Sequence, residues 1–381
     1  MDVNPAPLRL HRHSEVPHQV ELVVPYRSYA AQGPPRLFNY WTRDPRLLSW
    51  FPEELGRTAI DCPDEYVIRV RDAHVVHGHY LILYPDQALA DTFNFEDSAV
   101  NRPVITDIGQ QILRGEVHRC PASAWPTFHI FKDVYCNYGH MLVEVLPKLL
   151  HIRAMGIRRF TLLFPWSSLM FLPAVQYAAE TLGLSFEHVV CFNNQIVRVE
   201  EMLWIGPVAQ HDRRKSQTLR DLVRILGPAA PPSSSPRRLY VTRPPGAIRP
   251  IANQPQLEDL ARSRGYHVVE PASLSFPEQV GLFHGADHVL GPMGAALANT
   301  VFMRPAGGSA CSPTAGSIRS TTISPGWLDC SSTGCSSRTP RPGPTSCKPK
   351  PGPSTPGGSR ACWPGWISQA RGSNCSASVA Q

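Results

Sequence analysis

No segment of this 381-residue chain approaches the roughly 20 consecutive apolar residues that a membrane-spanning helix requires. Residues 1–32 are broken by Pro5, Pro7, Pro17 and Pro25 and lack the unbroken apolar stretch of a signal peptide. The expectation is a cytoplasmic protein with no transmembrane segment, for which peripheral association with a membrane stays open. Cysteine offers no metal framework either. There is no CxxC pair and no zinc-like Cys/His spacing, and six of the ten cysteines fall between Cys311 and Cys375. The scattered remainder (Cys62, Cys120, Cys136 and Cys191) suits a reducing compartment, where thiols behave as small apolar groups.

Net basic charge is missing from most of the chain. The formal balance is +7, but residues 306–381 hold seven Lys or Arg against the single acid Asp329 and so carry all but one of those charges. A near-neutral body excludes a phosphate-tracking surface, and with it nucleic acid as a partner. The same tail has only five Leu, Ile, Val or Phe among many Ser, Pro, Gly and Thr. Such a composition buries too little apolar surface to offset chain entropy. The break follows Arg304 directly, where the preceding alternation calls for a strand. The expectation is a shift of coding frame near Pro305, with a genuine Ser/Pro-rich tail as the alternative.

What is present is an α/β alternation. Residues 1–35 read as a Pro-rich, loosely held lead-in. Glu65–Arg71 and His79–Tyr84 read as strands joined near Gly78, part of a β-rich, decorative entry section. His140–Met155 reads as a helix with a kink or break at Pro147. Strands at Phe160–Phe164, Val189–Phe192 and Met202–Ile205 flank a helix at Ser168–Leu182, the grammar of a parallel sheet covered on both faces. The pattern restarts with helices at Ser216–Leu226, Gln256–Ser263, Pro277–His284 and Gly294–Met303. The strands between them are Arg238–Thr242, Tyr266–Val269 and His288–Leu290. The domains predicted are an N-terminal one over 36–210, a C-terminal one over 211–305, and the tail 306–381. Two such units enclose a cleft at the carboxyl ends of their strands.

Two motifs carry chemistry. Asn137-Tyr138-Gly139-His140 opens a helix, so the His140 imidazole can enter a cleft as a general base, with Glu144 one turn on to orient it. A capping or purely structural histidine is the plainer reading. The second motif runs from Arg238 through Tyr240, Arg243, Arg249 and Asn253 to Gly291-Pro-Met-Gly294-Ala295-Ala-Leu-Ala-Asn299. Guanidinium groups after a strand end can pair with a diphosphate. Gly291 and Gly294, in a strand-to-helix turn, let backbone and helix N–H groups approach an anion. Asn299 anchors that turn or touches the ligand. The plainer reading is a tight turn with surface arginines.

Together these segments resemble the family 61 glycosyltransferases, whose bacterial members serve capsular polysaccharide biosynthesis and whose plant and animal relatives transfer xylose and O-linked GlcNAc. The family pattern is Asn-Tyr-x-His-Trp, then Tyr-x-x-Arg with a further Arg and Asn-Glu, then Gly-Pro-His-Gly-Ala-Gly-Leu-x-Asn. This chain matches it at Asn137, Tyr138, His140, Tyr240, Arg243, Arg249, Asn253, Gly291, Pro292, Gly294, Ala295, Leu297 and Asn299. Met141, Gln254, Met293 and Ala296 stand where the pattern has Trp, Glu, His and Gly. The resemblance implies a GT-B-like α/β fold of two Rossmann-type domains facing a cleft, and inverting transfer from a nucleotide sugar to a glycan or other hydroxyl acceptor. His140 and Glu144 are then catalytic. Asn137, Arg243, Arg249, Asn253, Gly291, Gly294, Ala295 and Asn299 bind the donor. No Asp-x-Asp occurs in the chain, in keeping with a reaction that uses no metal and no cofactor. Met293 and the tail also carry a second expectation: a non-catalytic nucleotide-sugar binder or an inactivated family member.

Overall fold

In the computed structural model, the residues described are 9–11, 19–24, 29–30, 59–60, 64–77, 80–84, 87–92, 107–131, 137–208, 216–232, 237–244, 246, 250–292 and 294–304. Arg249, Met293, the turn at Gly78 and the whole tail from 306, with the frame-shift expectation, lie outside them.

Alternating side chains build the larger sheet. Its central strands are β1 (Glu65–Val76), β2 (Thr127–His129), β3 (Arg159–Pro165), β4 (Ser185–Cys191) and β5 (Ile196–Ile205). They lie in the order β1-β5-β2-β3-β4. The last four run parallel, and β1 is antiparallel to β5 over most of its length. The sheet is therefore mixed rather than purely parallel. The entry section is not decoration: β1 lies beside β5 with most of its residues buried. Part of the expected lead-in belongs to the sheet as well, because Gln19–Val24 pairs antiparallel with β1.

The period of two in these strands separates two cores. Val67, Phe160, Leu162, Phe164, Leu203 and Ile205 face the main core, which helices cover. Ile68, Val70, Leu163, Met202 and Trp204 face a second one, whose fully buried members all come from strands. Among the described residues, the helical cover that the alternation predicts lies over the main core.

The composite helix between β2 and β3 follows from its sequence. Tyr138–His140 is α-helical, Met141–Val145 a π turn and Leu146–Lys148 a 3-10 turn, before α1 (Leu149–Ala154) resumes. Pro147 has no N–H to give an α-type bond, so the change of helix type falls where the proline predicts it. α2 (Leu172–Thr181), entered through a 3-10 run at Trp166–Phe171, connects β3 to β4.

The smaller sheet holds β6 (Arg238–Val241), β7 (His267–Val269) and β8 (His288–Leu290), all parallel, with β6 central. α3 (Gln217–Ala229) precedes it, capped by the Ser216 hydroxyl, which accepts from the Thr218 N–H at 3.0 Å. α4 (Gln254–Ser263) and α5 (Phe276–Gly285) make the crossovers, α5 opening on a Ser275/Glu278 capping box. The final helix expected at Gly294–Met303 is a 3-10 run, Ala295–Phe302. Leu239, Val241, Phe283 and Phe302 join Phe128 and Leu162 in the main core. The expected boundary near Gly206–Ser216 falls largely outside the described residues, and that apolar cluster is continuous across it.

Candidate functional site

Both motifs follow the carboxyl ends of parallel strands, where open α/β sheets hold their ligands. The Asn137–His140 block lies beyond β2. Arg243 lies just beyond β6, and the Gly291–Gly294 turn just beyond its neighbour β8.

Small residues let the two motifs meet. A Cβ on Gly139 would stand 3.7 Å from the Cβ of Ala298 and 3.8 Å from the Cα of Ala295, so the block and the last 3-10 run are in direct contact. Next to that contact the Tyr138 phenol donates to the Asn299 side-chain oxygen at 2.5 Å. Burial pushes this phenol well above the ordinary tyrosine range, which keeps it a donor. The Asn299 amide nitrogen donates in turn to Gln279 Oε1 at 2.9 Å, and Gln279 donates to the Leu274 carbonyl at 3.0 Å. Asn299 is fully buried. Its side chain ties the 3-10 run that follows the glycine turn to the block.

Within the block, the Asn137 side chain accepts from the Gly139 N–H at 2.8 Å and caps the helix. His140 Nδ1 lies 2.9 Å from Glu144 Oε1. The carboxylate is buried in the π turn, while the imidazole keeps 18% of its surface open. A carboxylate on one ring nitrogen is the arrangement that fixes the tautomer and directs the other nitrogen outward.

On the other side, an Arg243 guanidinium nitrogen lies 3.6 Å from where a Cβ on Gly294 would be. The arginine and the glycine turn are therefore brought together. Gly291 has a different reason to lack a side chain: its Cβ would come within 2.9 Å of the Val241 carbonyl. It permits the close approach of the turn to β6.

Asn253 is exposed and makes no side-chain cap to α4. Its neighbour Gln254 is the residue that reaches the site. The Gln254 amide nitrogen lies 2.8 Å from both Thr242 Oγ1 and the Arg243 carbonyl, and 3.1 Å from Glu258 Oε1. The Thr242 hydroxyl also donates to Glu258. That bond, with lesser help from Gln254 and Arg262, holds the Glu258 carboxyl below its usual range. Sequence reading missed Thr242 and Glu258 as supports of Arg243, although the one-turn spacing of Gln254 and Glu258 was visible.

Among the described residues, no cluster of three or more His, Cys, Asp or Glu side chains is placed to hold a metal ion. No helix among them is long and apolar enough to cross a membrane.

Residues 138–309 match the family model for glycosyltransferase 61. The chain carries a glycosyltransferase family 61 domain. The match begins at Tyr138, one residue after Asn137, and takes in the rest of both motifs, so the contact between Gly139 and Ala295 lies inside the matched region. A search of curated proteins finds no match to the chain.

Proposed function

We propose that the chain moves a sugar, with inversion, from a nucleotide-sugar donor to a hydroxyl acceptor without a metal, in bacterial capsular or surface polysaccharide synthesis at the cytoplasmic face. The observation that carries this reading is the His140–Glu144 pair packed through Gly139 against the turn that lies under Arg243. With Glu144 as carboxylate, Nδ1 carries the imidazole proton and Nε2 takes the proton of the acceptor hydroxyl. Attack of that oxygen on the anomeric carbon then expels the nucleoside diphosphate. Arg243, together with Arg249, neutralises the charge gathering on the leaving diphosphate, and backbone N–H groups of the turn assist it. Asn253 and Ala295 stay within the donor-side surface in this reading.

A GT-B-like pairing belongs to the same proposal, with residues 211–305 as donor half and 36–210 as acceptor half. It is favoured by two sets of parallel strands whose carboxyl ends carry motifs that touch.

The test is calorimetric titration with UDP and GDP, alongside turnover. Arg243→Ala is expected to weaken nucleotide binding at least tenfold. His140→Ala is expected to keep nucleotide binding and lose turnover by a factor of about 100 to 10,000. Retained turnover in His140→Ala removes it as the base.

A further inference from the structure

Two large aromatic side chains stand in solvent on the same sheet edge as the His140 block. Trp166 directly follows the last residue of β3 and Phe192 directly follows the last residue of β4. The register pairs Pro165 with Cys191, which brings the two rings side by side. They stack at 5.1 Å between centroids with 27° between planes. Even so, Trp166 remains 51% exposed and Phe192 40% exposed. Met170, from the short helix that Trp166 opens, is 50% exposed. Exposed apolar side chains gathered into one patch, rather than scattered singly, are characteristic of binding surfaces.

The surroundings say which kind. Residues 165–175 and 191–197 contain no charged residue, so neither segment itself offers a charge to a phosphate or a polyanion. Beside Phe192 lie Asn193 and Asn194, both exposed amides that donate and accept in the plane of a hydroxyl. An aromatic face next to neutral amides matches a neutral sugar, whose ring presents C–H bonds on its faces and hydroxyls around its rim.

Position completes the case. Three neighbouring parallel strands, β2, β3 and β4, are followed at their carboxyl ends by the His140 block, Trp166 and Phe192 in turn. The helix begun by Trp166 ends at Phe171, whose ring lies 6.3 Å from that of Tyr138. A run of that length spans about 10 Å, roughly the length of a disaccharide.

We propose that Trp166 and Phe192, with Asn193 and Asn194 at their rim, form a stacking platform for a neutral sugar of the acceptor glycan. It holds a residue one or two units away from the hydroxyl that reacts at His140. The assignment of the sugar as acceptor rests on the glycosyltransferase reading above; the sugar-binding surface itself does not.

The experiment is saturation-transfer NMR on the full chain with lactose, cellobiose and xylobiose as probes, and parallel calorimetry with UDP and GDP. Transfer to ring C–H protons of at least one probe is expected in the wild type. It should fall at least fivefold in Trp166→Ala and in Phe192→Ala and persist in Trp166→Phe, while nucleotide affinity stays unchanged. Both side chains are half-exposed, so the variants should fold, and circular dichroism checks that they do. Equal transfer in the double alanine variant, or none to any probe in the wild type, overturns the platform. So does a concentration-dependent dimer in sedimentation that Trp166→Ala abolishes, since the occupant is then a second copy. A chain that binds no nucleotide but keeps Trp166-dependent sugar binding overturns the donor reading and leaves the platform standing.

Discussion

The phenol of Tyr138 and the amide of Asn299, 161 positions apart in the chain, share a hydrogen bond of 2.5 Å that closes the two motifs on each other. Asn299→Ala leaves both the phenol and Gln279 Oε1 without that partner. The expected loss is about 2–4 kcal/mol of unfolding free energy, each buried orphan costing about 1–3 kcal/mol. Tyr138→Phe removes a donor and strands one acceptor, for about 1–2 kcal/mol. Urea denaturation of both singles and the double should give a coupling of about 0.5–3 kcal/mol. Additive losses would mean that the two residues do not hold each other.

Gln254 gives its amide hydrogens to three oxygens, among them Glu258. Gln254→Glu replaces that donor with a second carboxylate facing the first. It should destabilise the chain by about 1–3 kcal/mol and weaken UDP or GDP binding through the Arg243 main chain. Adding Glu258→Gln should recover most of both losses, as read by thermal melts and calorimetry. This is a local reason for glutamine where the family pattern has glutamate.

Acid should expose the same support. Glu258 is held below its usual range by the Thr242 hydroxyl first, then Gln254 and Arg262. A carboxyl depressed in the folded state contributes stability that is complete above its unfolded value, about 4.3. It is lost as the pH falls through the folded value. The stability gap between wild type and Glu258→Gln should therefore be widest near neutrality and shrink below about pH 4. Denaturation at pH 7, 5, 4 and 3 reads it; a gap that grows on acidification reverses the assigned sign.

The two glycines of the turn should respond differently. A Cβ at Gly291 meets the Val241 carbonyl at 2.9 Å and the Val241 Cβ at 3.0 Å, and a strand backbone yields little. Gly291→Ala is expected to cost about 1–3 kcal/mol. At Gly294 the nearest group is the Arg243 guanidinium at 3.6 Å, so alanine fits and valine presses the arginine aside. Gly294→Ala should bind UDP and GDP like the wild type and Gly294→Val several-fold more weakly, with melting temperatures that barely differ.

Period and punctuation made much of the smaller sheet legible: His288–Leu290 was read to the residue and the other two strands within one. The break at Pro147 was visible because a missing N–H is a local fact. The ribbon of β1 and β5 was not, since its pairing joins segments 120 residues or more apart and leaves no local mark. At the site, His140 and Glu144 were legible by helical spacing. The bonds of Asn299 to Tyr138 and Gln279 were not, because its partners lie 161 and 20 positions away in the chain. Arg249 and Met293, matched or missed by pattern, lie outside the described residues. Trp166 and Phe192 carried no signal singly; only strand register puts them together.

The π turn at Met141–Val145, where the Leu146 N–H reaches back to the Met141 carbonyl, has an evolutionary and engineering corollary. Such a turn is an α-helix with one residue inserted. Deleting a single residue there would rewind the segment, swinging the turn before it, Tyr138–His140, by about 100° around the axis. The stripe from Leu149 to Ile152 would stay in the core while His140 turned off the glycine loop. A one-codon loss in this segment is thus enough to separate the scaffold from its chemistry, leaving a folded chain whose imidazole points elsewhere.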